Sequence, residues 1–322
     1  MNFSPIIIVA GEPQSIFIEI FIKAVQKLKK NKKPIILISS KEILKKNMIK
    51  FKKHLKINNL KKDFSNIHKK RINLINIDYK SFSFAKKKIT SKSNLYLNNS
   101  FKEALKFMKK KRCSGLINGP ISKKSFLNGK FNGITEFLAN KTQTKNPVML
   151  IYNKNLSVSP LTTHLPISKV SRNVKKKNII IKIKKINDFY RNVLKIKPRI
   201  AVTGLNPHCE SFDNENKEKK EIIPAIKYLK KHRINIQGPY ASDTIFLKEN
   251  IKKFDLIFGM YHDQVLTPIK TLYGFNAINI TLGLPFIRIS PDHGPNIKML
   301  GKNKSNPESL IESIRFFEKY AV

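Results

Sequence analysis

Short runs of apolar, β-branched residues recur along this chain, and between many of them lie longer stretches whose apolar residues step by three and four. No other feature limits the possible folds as strongly. "PIIIVAG", "KPIILISS", "INLINID", "CSGLING", "PVMLIY", "PRIAVTGL", "DLIFGMY" and "AINITLGL" read as strands buried on both faces. "SIFIEIFIKAVQKLKK", "NSFKEALKFMKKK", "NIIIKIKKINDFYRNVLK" and "EIIPAIKYLKKH" read as amphipathic helices. In the third of these, Ile179, Ile180, Ile183, Ile186, Phe189 and Val193 share one helix face and leave the lysines outside. Strands alternating with helices predict an α/β fold with largely parallel sheets and flanking helices. No repeat appears, and no Gly/Ser/Pro-rich linker cuts the 322 residues into beads, so two lobes joined by crossing strands are expected. The lysine-rich segment from about 43 to 70 has weak periodicity and reads as a peripheral excursion.

Charge invites a different reading. Sixty-four basic residues against 21 acidic ones give +43, which would suit a polyanion binder. Only eight of the 64 are Arg, the side chain best shaped for guanine and phosphate, and the lysines are scattered among Ile and Asn. That pattern is the mark of compositional drift and solvated helix faces; no specific nucleic-acid partner is expected, although the field draws in small anions. Cys113 and Cys209 are too few for a disulfide framework and suit a reducing compartment. The opening apolar run is too short for a signal-peptide core or a membrane span, so a soluble, cytoplasmic protein is expected.

In open α/β sheets, ligands bind beyond the carboxyl ends of the strands. Three of the seven histidines follow apolar runs: His164 in "TTHLP", His208 in "NPHCE" and His262 in "GMYHDQ". Three neutral imidazoles at one sheet edge would hold a divalent cation with positions left for substrate. Alternatively, each is a hydrogen-bonded histidine at a strand end; their spacing matches no short metal motif. "NGPISKKSF" sets Gly119, Pro120 and Ser122 at a strand-to-helix junction, either an anion-holding helix start or a proline turn with a serine cap.

"NGPISKKSF", "GITEFLA", "TTHLP", "LNPHCE", "ASDTIF", "GMYHDQVLTPIK" and "NITLGLPFIRISPDHG" together, in this order, resemble the 4-hydroxythreonine-4-phosphate dehydrogenase family of pyridoxal 5′-phosphate biosynthesis. The likeness runs from the N-terminal "AGEP" to the final helix and is weakest between about 40 and 95. The resemblance implies a two-lobed fold like that of isocitrate and isopropylmalate dehydrogenases, with approximate lobes 1–125 plus 270–322 and 126–269. It implies a homodimer with the active site at the subunit interface, NAD as cofactor, and one divalent metal ion (zinc, magnesium or cobalt) per site. His164, His208 and His262 match the metal ligands, one of them supplied across the dimer interface. Thr135, Lys270, Asn279 and Arg288 match substrate-binding positions, and Lys270 and Asp243 the catalytic ones, Asp243 lying near the metal. His293, Gly294 and Asn296 fall in a segment similar to one that helps related dehydrogenases bind the dinucleotide. The chain has no GxGxxG, so NAD rests on the resemblance.

Departures are specific. Ile134 stands where the family has a histidine before the threonine. Ser15 and Phe17 replace two glycines of the N-terminal motif, and "CESFDN" replaces a glycine-rich run after His208. The family reaction oxidises a secondary alcohol to a β-keto acid that loses carbon dioxide, and a divalent cation stabilises the oxyanion that develops in both steps. Asp263 reads either as a helix N-cap, the preferred reading, or as a carboxylate orienting an imidazole. Thr135 either contacts substrate or caps the helix over "EFLANK".

Overall fold

The structure, a computed structural model, describes residues 4–28, 32–60, 66–85, 88–110, 113–127, 129–131, 133–210, 216–274, 276–291 and 293–320. Of the sequence motifs, most of "CESFDN" lies outside the described residues. The chain divides into two compact units, Met1–Thr144 with Leu284–Val322, and Lys145–Gly283. The lobe boundaries read from the sequence, after 125 and before 270, both sit earlier in the chain than this division.

The first unit opens with strand β1 (Ile6–Val9), helix α1 (Phe17–Lys27), β2 (Ile35–Ser39), α2 (Lys41–Lys50), β3 (Ile57–Asn59), β4 (Ile72–Asn76), α3 (Ser91–Lys109), β5 (Gly115–Asn118) and α4 (Ile134–Lys141). The second unit follows with β6 (Val148–Tyr152), β7 (Ser157–Thr162), α5 (Val170–Asn173), α6 (Lys176–Phe189), β8 (Ile200–Thr203), α7 (Ile223–Lys231), β9 (Ile236–Tyr240), α8 (Lys248–Ile251), β10 (Leu256–Tyr261), α9 (His262–Tyr273) and β11 (Ile278–Leu282). The chain then returns to the first unit with β12 (Arg288–Pro291) and α10 (Glu308–Lys319).

Strand order in the first unit is β3-β4-β2-β1-β5-β12, and every neighbouring pair is parallel. In the second unit it is β11-β6-β7-β10-β8-β9, antiparallel through β6 and parallel from β7 to β9. Helices cover both faces of a parallel sheet, so its central strands are apolar at every position rather than at alternate ones. Ile6, Ile7, Ile8 and Val9 of β1 are wholly buried, as are Leu256, Ile257 and Phe258 of β10. Ile179, Ile183 and Ile186 are buried on α6, as its periodicity predicts.

All eight predicted strands form. The short strands β3, β9 and β12 and helix α2 were not legible. β3 ("INN") and β9 ("IQGPY") are the outermost strands of their units and only partly buried, so neither carries a continuous apolar run. The segment read as an excursion contains α2, an ordered helix that Ser40 caps through its hydroxyl at the Ile43 N–H. Among the described residues no helix is long and apolar enough to cross a membrane.

Candidate active site

The histidine pattern acquires its geometry from strand order. β7, β10 and β8 are consecutive parallel neighbours, and their carboxyl ends lead into His164, His262 and His208 respectively. Tyr261 is level with Thr162 across the β7–β10 ladder, so His262 and His164 leave the sheet within two residues of the same level. Their ring centroids stand 6.1 Å apart at an interplanar angle of 35°. With metal–nitrogen bonds of about 2.1 Å, two rings bound to one cation have centroids roughly 5–6 Å apart, so this pair lies within reach of a shared ion.

Two of the three histidines are among the eleven described non-glycine residues with positive φ. His164 and His208 are both left-handed (φ 47° and 54°), and Cys209 follows at 62°. Such conformations cost about 1–3 kcal/mol each and collect at binding sites. The turn carrying His208 is held by Glu218, buried at 1% exposure. One of its carboxylate oxygens accepts from the backbone N–H groups of Leu205 (2.8 Å) and Asn206 (2.9 Å), and the other from the Asn206 side-chain amide (3.0 Å). Asp243 lies near enough to Cys209, beside His208, to act on it electrostatically. Burial first, and then the carboxylates of Glu218, Asp243 and Glu210, push the Cys209 thiol up, which keeps its sulfur protonated and a poor ligand.

Asp263 corrects a sequence reading. Helix α9 begins at His262 with Tyr261 as N-cap and no side-chain cap. Asp263 lies inside the first turn, its Oδ1 2.7 Å from His262 Nδ1. That contact fixes the imidazole and leaves its Nε2 to face a ligand, the arrangement usual behind metal-bound histidines. His208 is not drawn into a set with the other two. Among the described residues no group of three or more His, Cys, Asp or Glu side chains is arranged to hold a metal ion. The donors themselves suit a borderline divalent cation, and His164 with His262 provides the pair. Lys270 is exposed in the last turn of α9. Asn279 lies on β11 opposite Ile151, and its buried Oδ1 accepts no hydrogen bond among the described residues.

In the first unit, Arg288 and Thr135, 153 residues apart, meet: Arg288 Nη1 donates to Thr135 Oγ1 at 3.3 Å. Arg288 is wholly buried, and its Nε donates to Asn118 Oδ1 at 2.6 Å. Burial pulls the guanidinium down to about 9, opposed by the Glu136 carboxylate, so the group is still a cation at neutral pH. Thr135 does not cap α4, whose N-cap is Gly133 with no side-chain cap. Ile134, in the place of the family histidine, is the first residue of that helix. Ser122 accepts from the Ser125 N–H at 3.2 Å, as a serine cap does. Asn118 was missed from sequence; its only signal is its position, last in a buried strand and first in "NGP".

Glycine replacement at the N-terminal motif leaves the backbone unstrained. Neither Ser15 nor Phe17 has positive φ, whereas Gly11 does (75°), and a Cβ there would stand 2.3 Å from the Pro120 carbonyl oxygen. Ser15 Oγ donates to the Glu12 carbonyl at 2.6 Å. The buried Phe17 ring stacks on His293, centroids 5.9 Å apart, while the Ile16 N–H donates to the Pro295 carbonyl at 3.1 Å. Gly294 has no atom within 4 Å of a would-be Cβ, and Asn296 is left-handed (φ 43°). An anchored imidazole beside an open glycine suits a segment that receives a planar cofactor ring.

The model of the family "Pyridoxal phosphate biosynthetic protein PdxA" matches residues 30–317. The chain belongs to the PdxA family. It is 38% identical over 313 residues to the 4-hydroxythreonine-4-phosphate dehydrogenase of Sulfurihydrogenibium sp. (strain YO3AOP1), with 95% of each chain covered. Among solved structures, the 4-hydroxythreonine-4-phosphate dehydrogenase of Klebsiella pneumoniae superposes with a TM-score of 0.81 at 25% identity, covering 98% of this chain and 99% of that one. The isocitrate dehydrogenase of Methylococcus capsulatus superposes with a TM-score of 0.53 at 10% identity, covering 98% and 86%, a likeness of fold alone. PdxA membership makes the chain one of a family of dehydrogenases of pyridoxal phosphate biosynthesis, on the isocitrate-dehydrogenase-like α/β fold that the sequence implied.

Proposed function

We propose that the protein oxidises 4-phosphooxy-L-threonine with NAD⁺ and decarboxylates the product to 3-amino-2-oxopropyl phosphate, as a cytoplasmic homodimer. The observation that carries this reading is the occurrence of His164, His262 and His208 at the ends of three consecutive parallel strands. These three residues would hold one divalent cation, one of them reaching it across the dimer interface. That cation, when bound, supplies Lewis-acid stabilisation of the substrate oxygen.

The other roles belong to the chain's own side chains. Arg288, buried and cationic, binds the phosphate together with the Thr135 hydroxyl it touches. Asn279 offers its buried, unused Oδ1 to a substrate donor. Asp263 holds the His262 ring so that one nitrogen faces the site. Lys270 moves the proton of the substrate hydroxyl or steadies its phosphate, and Asp243 supplies negative charge near the cation. His293, Gly294 and Asn296 receive the dinucleotide. When bound, the dinucleotide would supply the acceptor for the hydride on the carbon bearing the hydroxyl, and Lys270 would take up that hydroxyl's proton. The bond to the carboxylate would then break, carbon dioxide would depart, and the electron pair left on the carbon bearing the amine would take a proton from water to form a C–H bond.

NADH formation from 4-phosphooxy-L-threonine, with chelator and then with zinc, cobalt or magnesium restored, tests this. Activity is expected to vanish with chelation and to return with metal; turnover that ignores chelation overturns the metal assignment. Arg288→Ala is expected to raise KM about 10- to 100-fold, the worth of a charged hydrogen bond, and an unchanged KM refutes its phosphate role. A second reading rests on Ile134, which sets an alkyl side chain beside Thr135 where the family has an imidazole. It makes the substrate a related phosphorylated hydroxy acid or a dihydrodiol, and turnover of such a compound in preference to phosphooxythreonine selects it.

A further inference from the structure

The β10–β8 ladder runs from Leu256↔Ile200 to Phe258↔Val202 and stops there, before the residues that lead to His262 and His208. The β8–β9 ladder is irregular at the same level, its register shifting between Ala201 and Thr203. Pairing resumes between β8 and β9 at Thr203↔Tyr240, but β10 and β8 are no longer paired beyond Phe258 and Val202, where they approach His262 and His208. One side chain occupies the gap. Gln264, 8% exposed, accepts at Oε1 from the Met260 N–H (2.7 Å) and from Thr203 Oγ1 (2.9 Å). Its Nε2 donates to the Gly204 carbonyl (2.8 Å) and to Ser242 Oγ (2.7 Å). A carboxamide has two lone pairs and two N–H groups, and here all four are used.

Each partner belongs to a segment that ends in a proposed site residue. Met260 lies two residues before His262, Gly204 four before His208, and Ser242 immediately before Asp243. Gly259 makes room for the carboxamide: a Cβ there would stand 3.0 Å from Gln264 Oε1 and 2.4 Å from a Val265 methyl. A surface glutamine would satisfy none of these conditions, and water could not reproduce four bonds from one rigid plane.

We propose that Gln264 is the positioning residue of the divalent-cation site, its carboxamide fixing the spacing of the strand ends that carry His262, His208 and Asp243. This rests on the metal role proposed above for the histidines. Gln264 itself touches no cation. Loss of an outer-shell partner of this kind weakens metal binding by about 10- to 100-fold.

The test is Co²⁺ binding to the full-length protein, followed by titration calorimetry and by the visible absorption of bound Co²⁺, for wild type, Gln264→Leu, Thr203→Val and Ser242→Ala. The expected result is at least about tenfold weaker Co²⁺ binding with an altered absorption band in Gln264→Leu, and smaller losses in the two single-bond variants, with thermal midpoints that do not follow the losses. Equal Co²⁺ affinity and an unchanged band in Gln264→Leu overturn the proposal while the metal reading stands. Should Gln264→Leu fail to fold, the other two carry the test, and wild-type affinity in both overturns it. If wild type binds no Co²⁺, or binds it equally well as His262→Ala, the metal reading itself falls and this inference falls with it.

Discussion

Glu12 shows what one buried group can do to a whole stability profile. It is 2% exposed three residues beyond β1, and among the described residues no hydrogen bond of standard geometry reaches either carboxylate oxygen. Desolvation pushes it from 4.5 up to about 7, with the Ser93 hydroxyl and the Gln14 backbone only partly opposing the shift. A carboxyl whose folded value lies above its unfolded one favours folding while protonated, because the unfolded chain gives up the proton first. Its ionisation therefore costs nothing below 4.5 and the full amount above about 7, roughly 3 kcal/mol at the usual conversion. Glu12→Gln removes that dependence. Urea unfolding at pH 5 and pH 8 is expected to show the variant gaining on wild type by up to about 3 kcal/mol as pH rises; a gap that stays constant between the two would mean Glu12 ionises as freely in the fold as in water.

Elements made legible from sequence are those that bury apolar surface without interruption. β1, β2, β5, β8, β10 and β11 stood out because helices cover both their faces, and α6 because its isoleucines keep helical spacing. β3 and β9 were silent because an outer strand mixes polar residues, glycine and proline with few apolar ones. The same blindness extends to the site. The three histidines were visible as chemistry at strand ends, but Asn118, Glu218 and Gln264 look in sequence like ordinary surface polar residues, and only the fold reveals them as buried and hydrogen-bonded. Asp263 was misread because a cap rule needs the true helix start, and α9 starts two residues earlier than an aspartate cap at 263 requires. Glu218 offers the sharpest test at this scale, since its carboxylate braces Leu205 and Asn206 on the approach to two consecutive left-handed residues. Glu218→Ala orphans two backbone N–H groups and the Asn206 amide, and is expected to cost about 3 kcal/mol with faster amide exchange at Leu205 and Asn206. Glu218→Gln, which keeps an acceptor for both N–H groups, is expected to cost about 1 kcal/mol. Unchanged exchange at both amides in the alanine variant would show that the turn holds itself.

At the scale of the molecule the dominant quantity is charge, +43 over 322 residues. Lysines make up most of it and stand on exposed helix faces, as on α2, α3 and α6, so their mutual repulsion is carried by solvent-facing groups. Self-repulsion on that scale favours the expanded chain. Local ion pairs oppose it weakly: Lys46–Glu42 (2.7 Å), Arg199–Asp255 (3.0 Å) and Arg315–Glu312 (2.7 Å) are all partly exposed, and such pairs are worth about 0–1 kcal/mol each. Salt screens both effects, and their balance decides the sign. Raising NaCl from about 10 mM to about 150 mM shortens the screening length from roughly 30 Å to 8 Å, which removes repulsion between distant lysines but leaves contacts near 3 Å partly intact. Long-range repulsion thus weakens more than the short pairs do, and the folded state gains. The expected outcome is a thermal midpoint that rises by about 2–5 °C over this range. KCl should give the same shift, because screening depends on ionic strength rather than on the identity of a monovalent ion. A midpoint that falls with salt would mean that local pairing outweighs the net charge, and a shift specific to one anion would instead point to a site that binds it.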